Sequence, residues 1–560
     1  MKRNSLLLGM LAMGLLILSA CGSKSTKIAV PKDAMFVMHI NSKSLSGKLS
    51  WDEIKKSEFF QKGFDKTTDS FAKQLMENPA SSGMNTDGDF YVFVKKQGKG
   101  GYAGVSGGVK DAAAFEKFVA KITNNAAVGK TGSYKSANIT NGPAIVWGNE
   151  QFSIINDVPL GAMNGMSGFG GGMSELYKFP TDSLKVFGQV TLDLSGDASI
   201  GSDKRFNEML TTVGDMHFWI SGEQYLNGIA GSMLGMMKIN DILQGNISTA
   251  TLNFENGKIT VVSKGYVNEK LADLAKKYPS KPISDDLYNR IPSTNVAAAF
   301  AFNYPPEGLK EFIKLMGVDG LANGFLDKAG YSIDEFVKAN KGDILVAVTD
   351  FAVKSETKTI GGGDGMEPYT YTNKTPDAKY LFAASINDRA AFDKLIVTLQ
   401  GQLGEAGSIP GINYQLDKNW FVAGNDQTYN TKFLGGASTK QAWAEQLKGA
   451  TGGGFVDIQK FIKGGKEAVT DSLSMESLVI SEKFWQDIFF KSEGFKDGAS
   501  QGYFEINLID KTTNSLKQLN TYLNKLAAVE EKRKASYSMY DGNAVISDTA
   551  VVAPPAVENK

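Results

Sequence analysis

Hydrophobic and polar residues alternate in short stretches that recur in the same order in the two halves of the chain. Residues 30–41 (VPKDAMFVMHIN) and 291–303 (IPSTNVAAAFAFN) each contain a proline before an alternating pattern that predicts a β-strand. Residues 88–94 (GDFYVFV) and 342–348 (GDILVAV) each begin with Gly-Asp, which predicts a turn leading into a buried strand. The two halves therefore share their first two predicted strands.

The next elements also recur in both halves. Residues 102–119 and 380–397 each predict a strand, then an aspartate that caps the following helix. Residues 151–157 (QFSIIND) resemble residues 420–426 (WFVAGND), and both predict a further strand. Four elements in a conserved order indicate an internal duplication.

The last part of each half predicts strands followed by a helix. Asn256-Gly257 lies between two alternating stretches, which is a strong hairpin signal, and Asn268 then caps a short helix. In the second half, Asn514 or Ser515 caps a helix with leucines at helical spacing. Single helices among hairpin-connected strands favour the α+β class. The sequence therefore predicts two tandem homologous domains with mainly antiparallel sheets flanked by helices.

Composition indicates a globular protein, and the balance of charges argues against a nucleic-acid partner. A hydrophobic fraction of 42% and an aromatic fraction of 10% are typical of a globular interior. The 60 basic and 60 acidic side chains balance, so bulk charge predicts no nucleic-acid partner. The predicted segments are a signal peptide (1–20), a linker (21–29), a first α+β repeat domain (30–286), a second α+β repeat domain (287–547) and a flexible tail (548–560).

The N-terminus predicts a membrane anchor. Lys2 and Arg3 precede an apolar run at residues 6–18, which is shorter than the roughly 20 residues that a membrane-spanning helix needs. Residues 18–21 (LSAC) resemble the bacterial lipobox, which implies acylation of Cys21, the one cysteine of the chain. Two or more acyl chains anchor a protein stably. Gly22 in place of an aspartate implies, by similarity to lipoprotein sorting, an outer-membrane position facing the periplasm.

These features together resemble a known family. The lipobox, the opening VPKDAMFVMHIN, the Gly-Asp strands and the duplicated body are similar to the uncharacterised bacterial lipoprotein family catalogued as domain of unknown function 4836. The resemblance extends over nearly the whole chain after the signal peptide. It implies a place in the cell envelope and no particular activity.

One motif suggests enzymatic chemistry. Residues 104–108 (GVSGG) fit the G-x-S-x-G pattern of a nucleophile elbow, with Ser106 as the nucleophile. A serine of this kind needs an imidazole to take its proton, and His217 has the matching chain order. The helix cap Asp111 lies five residues beyond Ser106, however, and the second half has Ala383 at the equivalent place. Small residues that let strands pack closely are the simpler interpretation.

Methionines suggest two further interpretations. The chain's two histidines each follow a methionine, and thioether with imidazole suits Cu(I), although methionines also fill irregular cores. Closely spaced ligands for zinc are absent from the sequence, so we predict no metal and no cofactor. A glycine-rich loop instead predicts an adaptable contact surface for an envelope protein or a lipid, formed by Met163, Met166, Phe169 and Met173.

The sequence therefore favours a lipid-anchored cell-envelope protein that binds or scaffolds a partner without catalysing a reaction. The membrane, contacted through the N-terminal acyl chains, is its first predicted partner. A serine hydrolase that uses Ser106 and His217 is the alternative.

Overall fold

A single large sheet forms the centre of the protein. The computed structural model describes residues 27–98, 100–158, 178–229, 242–360, 369–403, 411–436 and 439–542. Its eighteen strands are β1 (Phe36–Asn41), β2 (Asp89–Gln97), β3 (Gly100–Gly108), β4 (Gly129–Thr131), β5 (Tyr134–Asn138), β6 (Ala144–Trp147), β7 (Gln151–Val158), β8 (Met216–Ser221), β9 (Ile247–Glu255), β10 (Lys258–Tyr266), β11 (Val296–Asn303), β12 (Asn340–Ile360), β13 (Tyr369–Ile386), β14 (Asn413–Leu416), β15 (Trp420–Gly424), β16 (Gly452–Asp457), β17 (Trp485–Lys496) and β18 (Ala499–Leu508).

Helices connect the strands and cover parts of both faces of the sheet. In the first half they are α1 (Ser42–Lys48), α2 (Trp51–Lys55), α3 (Glu58–Lys66), α4 (Ser70–Glu77), α5 (Ala112–Ile122), α6 (Thr181–Asp193), α7 (Lys204–Thr211), α8 (Gly222–Ile229) and α9 (Glu269–Lys277). In the second half they are α10 (Asp285–Asn289), α11 (Pro306–Leu315), α12 (Asp319–Lys328), α13 (Ile333–Ala339), α14 (Arg389–Leu403), α15 (Gln427–Leu434), α16 (Ile458–Ala468), α17 (Ser472–Glu482) and α18 (Ser515–Gly542).

Every strand pairing is antiparallel, and the pairings make one continuous sheet. The spatial order is β4–β5–β6–β7–β3–β2–β1–β8–β9–β10–β18–β17–β16–β11–β12–β13–β15–β14. The α+β class with mainly antiparallel strands and flanking helices is thus confirmed.

The strand order contains the duplication. The series β7–β3–β2–β1–β8–β9–β10 of the first half has the same chain order and pairing as β15–β13–β12–β11–β16–β17–β18 of the second. Hydrogen bonds repeat at equivalent places: Asn41 N donates to Asp215 O at 3.0 Å, and Asn303 N donates to Thr451 O at 2.8 Å. The halves meet where β10 pairs with β18.

The last helix of each half packs on the other half. Helix α9 follows β10 but contacts α11 and β17, whereas α18 follows β18 and contacts α17 of its own half as well as α3 and β9 of the first half. The Lys517 ammonium of α18 lies 2.5 Å from the Glu53 carboxylate of α2. The domain boundary that the sequence places between residues 286 and 287 therefore separates two halves of one sheet, and two separate domains are not confirmed.

Alternation along the strands divides the core between the two faces. In β1, Val37 and His39 lie on one face, whereas Met38 and Ile40 lie on the other, because successive side chains point in opposite directions. We call the face of His39 the histidine face. In the first half it is covered by α6, α7 and the N-terminal segment, in which Ala29 is 2% exposed. Residues 27–29, assigned to a linker by sequence, thus pack against the sheet.

Polar side chains cap the starts of several helices, and a glycine forms a hairpin turn. Ser50 and Ser332 each begin a helix with a capping box, and Asp111 accepts hydrogen bonds from the first turn of α5. Gly257 has φ +68° in the hairpin between β9 and β10. In the described part of the chain, no helix is both long enough and apolar enough to cross a bilayer. The predicted tail, residues 548–560, lies outside the described residues.

Candidate functional site

The two histidines of the chain lie side by side on the histidine face. His39 in β1 and His217 in β8 are direct cross-strand partners, although 178 positions separate them in sequence. Their Nδ1 atoms are 3.0 Å apart, and His217 Nε2 lies 2.8 Å from the carbonyl oxygen of Thr212, just after α7. Both side chains are buried.

The contacts of His217 fix where the protons of the neutral pair lie. The Thr212 carbonyl can only accept a hydrogen bond, so His217 Nε2 carries a hydrogen and its Nδ1 is an acceptor. His39 must then donate from Nδ1, which leaves a free lone pair on its Nε2. Burial lowers the pKa of His217, and its hydrogen bond to Thr212 only partly opposes this, so the neutral form is favoured.

The free nitrogen of His39 faces a cleft. His39 Nε2 is buried, has no hydrogen-bond partner among the described residues and lies 3.2 Å from Asp89 Oδ1, whose side chain is 51% exposed. The cleft has a volume of about 310 Å³. Its lining includes Asn41, Tyr91 and Gly214 besides the two histidines and Asp89. An acceptor nitrogen beside a carboxylate gives this cleft two adjacent acceptors.

Tyr91 and Asp215 form the surroundings of the pair. The Tyr91 ring lies 5.1 Å from that of His39, and burial, aided by the Asp89 charge, raises the pKa of Tyr91. The Asp215 carboxylate, two residues before His217, has no exposed surface. It accepts hydrogen bonds from Ser44 Oγ at 2.6 Å, Lys48 Nζ at 2.5 Å and Phe254 N at 2.6 Å. This network joins α1, β8 and β9 next to the cleft.

The second half has no equivalent of this site. Ala301 pairs with Gly453 and with Leu345 in the way that His39 pairs with His217 and with Tyr91. The Tyr288 hydroxyl donates to Gly453 O at 3.2 Å, and this tyrosine is buried. The same strand arrangement therefore forms without histidines, so the fold itself does not require the pair.

The structure does not bring Ser106 and His217 together. Ser106 lies within β3, is 2% exposed and donates its hydroxyl to Ala29 O at 2.9 Å. Strands β2 and β1 lie between β3 and β8, which places these residues about 14 Å apart at the usual strand spacing. The glycines have a packing role instead, because a Cβ on Gly104 would lie 2.1 Å from the Phe93 ring.

The other sequence candidates fall elsewhere. Cys21, Met163, Met166, Phe169 and Met173 lie outside the described residues. Met38 and Met216 lie on the face opposite to the histidines, because each directly precedes one in a strand, so these two methionines do not share a face with the imidazoles. Within the described ranges, no three histidine, cysteine or acidic side chains are grouped as metal ligands.

Sequence reasoning missed the histidine pair. His39 and His217 each occupy an alternating strand, and that signal was present, but nothing local predicts that β1 pairs with β8. The neighbour of a strand is chosen by long-range packing, so a residue pair across strands is invisible to periodicity.

Comparisons with known proteins find a family match over part of the chain and a weak similarity to one solved protein. A family described as "Domain of unknown function (DUF4836)" matches residues 27–166, which confirms the resemblance to the domain of unknown function over that part of the chain. Two solved structures of TP0453, crystal forms IV and I, match with 11% and 10% identity and TM-scores of 0.22 and 0.24. Each match covers 46% of this chain and 86% of TP0453, and TM-scores this low do not define the fold. A search of curated proteins finds no match.

Proposed function

We propose that the protein is anchored by acyl chains on Cys21 in the cell envelope, in the outer membrane facing the periplasm, and binds a partner at the histidine cleft without catalysing a reaction. The single observation that carries the binding role is the buried Nε2 atom of His39, which has no hydrogen-bond partner among the described residues and faces a cleft. The anchor rests on the sequence LSAC at residues 18–21.

An unsatisfied buried nitrogen has an energetic cost that a bound partner can offset. While the histidine pair is neutral, leaving this nitrogen unpaired costs about 1–3 kcal/mol, whereas an added proton lets it donate to Asp89 Oδ1, 3.2 Å away. Equivalent positions in the second half have alanine and glycine, which avoid this cost entirely. The first half therefore keeps a buried polar group that lowers its stability, whereas the equivalent second half does not. This difference supports a binding role for the first half.

The anchor is tested with labelled palmitate and detergent-phase partitioning. The wild-type protein is expected to incorporate the label and to enter the detergent phase, whereas Cys21→Ala is expected to remain aqueous and unlabelled. Identical behaviour of the two proteins would contradict acylation at Cys21.

The binding role is tested by site-specific photo-crosslinking in intact cells. The crosslinking residue replaces Thr211, which lies on the rim of the cleft before β8. The control position is Lys448, which comes shortly before β16 in the second half. We expect an adduct from position 211 alone, and we expect its loss in the double variant His39→Ala/His217→Gly, which copies the residues of the second half. An adduct that persists in the double variant would place the partner elsewhere.

A further inference from the structure

We propose that the histidine cleft binds the ammonium group of an organic amine, and that a single proton on the histidine pair competes with that group. This inference rests on the proposed function and names the chemistry of its ligand.

The charges around the cleft favour a cation. Among the described residues that line it, Asp89 alone carries a formal charge while the histidines are neutral. The groups that face the pair are Asp89 and Tyr91 from β2, with Asp215 just before β8. The Lys48 ammonium of α1 is held on Asp215 and adds no free positive charge. A negative, partly enclosed cleft attracts cations and repels carboxylates and phosphates.

The two acceptors fit a group with several N–H donors. Asp89 Oδ1 and His39 Nε2 lie 3.2 Å apart, and neither can donate to the other while the pair is neutral. A primary ammonium has three hydrogens and can donate to both atoms at once. A neutral hydroxyl has one hydrogen and satisfies only one of them. A quaternary ammonium has the charge but no hydrogen to donate.

The hydrogen bond between the imidazoles limits the pair to one positive charge. Two N–H groups cannot face each other across the 3.0 Å between the Nδ1 atoms, so only one hydrogen lies there. His217 Nε2 already carries its own hydrogen toward Thr212. An added proton therefore goes to His39 Nε2, whichever ring holds the shared hydrogen. That proton occupies the lone pair and points at Asp89, so it excludes the ammonium.

The test uses the full chain labelled with ¹⁵N-histidine and the ethylammonium ion as probe. The chain contains two histidines, so every imidazole signal of the native sequence reports on this site. We expect ethylammonium to shift the His39 Nε2 resonance and to move the titration of the pair to lower pH. Simple competition predicts a shift of about one pH unit when the probe is at ten times its Kd. Tetramethylammonium and ethanol, at equal concentration, are expected to cause no shift.

A charge variant locates the probe. Asp89→Asn is expected to weaken ethylammonium binding at least tenfold, whereas Asp343→Asn, at the equivalent place in β12, is expected to leave it unchanged. Equal shifts from ethylammonium and tetramethylammonium, or a shift from ethanol, would overturn the inference even if Asp89→Asn failed to fold. In that case the proposed function still stands if the adduct at position 211 depends on the histidines, so the two failures are distinguishable.

Discussion

Replacing Asp215 tests the network that supports the cleft. Its carboxylate has no exposed surface and accepts hydrogen bonds from Ser44, Lys48 and the backbone of Phe254. Removing one partner of a buried ion pair costs about 3–5 kcal/mol. Because the Lys48 side chain is 26% exposed, it can regain water, so we expect Asp215→Ala to lower the free energy of unfolding by about 3 kcal/mol. Asp215→Asn keeps acceptor capacity, and we expect a loss of about 1.5–2 kcal/mol.

The assay is urea unfolding followed by tryptophan fluorescence in a Cys21→Ser background. The matched control is Thr451→Ala, at the equivalent position before β16, where the hydroxyl accepts from Gly494 N at 3.1 Å and donates to Ser492 O at 3.1 Å. Losing these two neutral hydrogen bonds is expected to cost about 2 kcal/mol. If Asp215→Ala were no more destabilising than Thr451→Ala, the assignment of Asp215 as a buried structural charge would be refuted. An unchanged urea slope would show that the compactness of the unfolded state is unaltered.

Three further predictions concern two hairpin glycines, the Ser106 hydroxyl and the ion pair between α18 and α2. Gly257→Ala is expected to lower the free energy of unfolding in urea more than Gly498→Ala does. Both glycines have positive φ, but only at Gly257 would the added methyl group lie 2.5 Å from a backbone atom, the Cα of Lys511. Equal losses in the two variants would contradict this reasoning. A fluorophosphonate probe is expected to label wild type no more than Ser106→Ala, because the hydroxyl is buried and bonded, and specific labelling would restore the hydrolase hypothesis. The Lys517 ammonium, together with hydrogen bonds from the backbone N–H and hydroxyl of Ser50, lowers the pKa of Glu53 from 4.5 to about 2. The Lys517–Glu53 pair therefore stabilises the fold above pH 4.5, and its contribution is lost as the pH falls toward 2. Both side chains are well exposed, so we expect about 0.2–1 kcal/mol, absent in Lys517→Met when the urea midpoint is followed against pH.

The local elements of the fold were predictable because their causes are local. Helix caps at Asp111 and Asn268 and the turn at Gly257 depend on a few neighbouring residues, and the structure has all three. The order of elements in the two halves, and therefore the duplication, also follows from patterns along the chain. These local signals and the order of elements were sufficient to predict the α+β class.

The site was less predictable than the fold. Ser106 matches a catalytic pattern, yet its glycine at position 104 is explained by the Phe93 ring of the neighbouring strand. The sequence offers His217 as a partner for Ser106, and it places His39 only beside a methionine. A motif records spacing along one segment, whereas chemistry depends on which strands are neighbours.

The sequence by itself determined the duplicated order of strands and helices, their caps and turns, and the pattern LSAC that predicts an anchor at Cys21. Only the tertiary structure decided that both halves form one sheet through β10 and β18, and that the last helix of each half contacts the other half. It also decided that His39 and His217 share a hydrogen bond. The physical reason is the same in each case: short-range backbone preferences are written in neighbouring residues, whereas strand neighbours are chosen by burial of apolar faces that are distant in sequence.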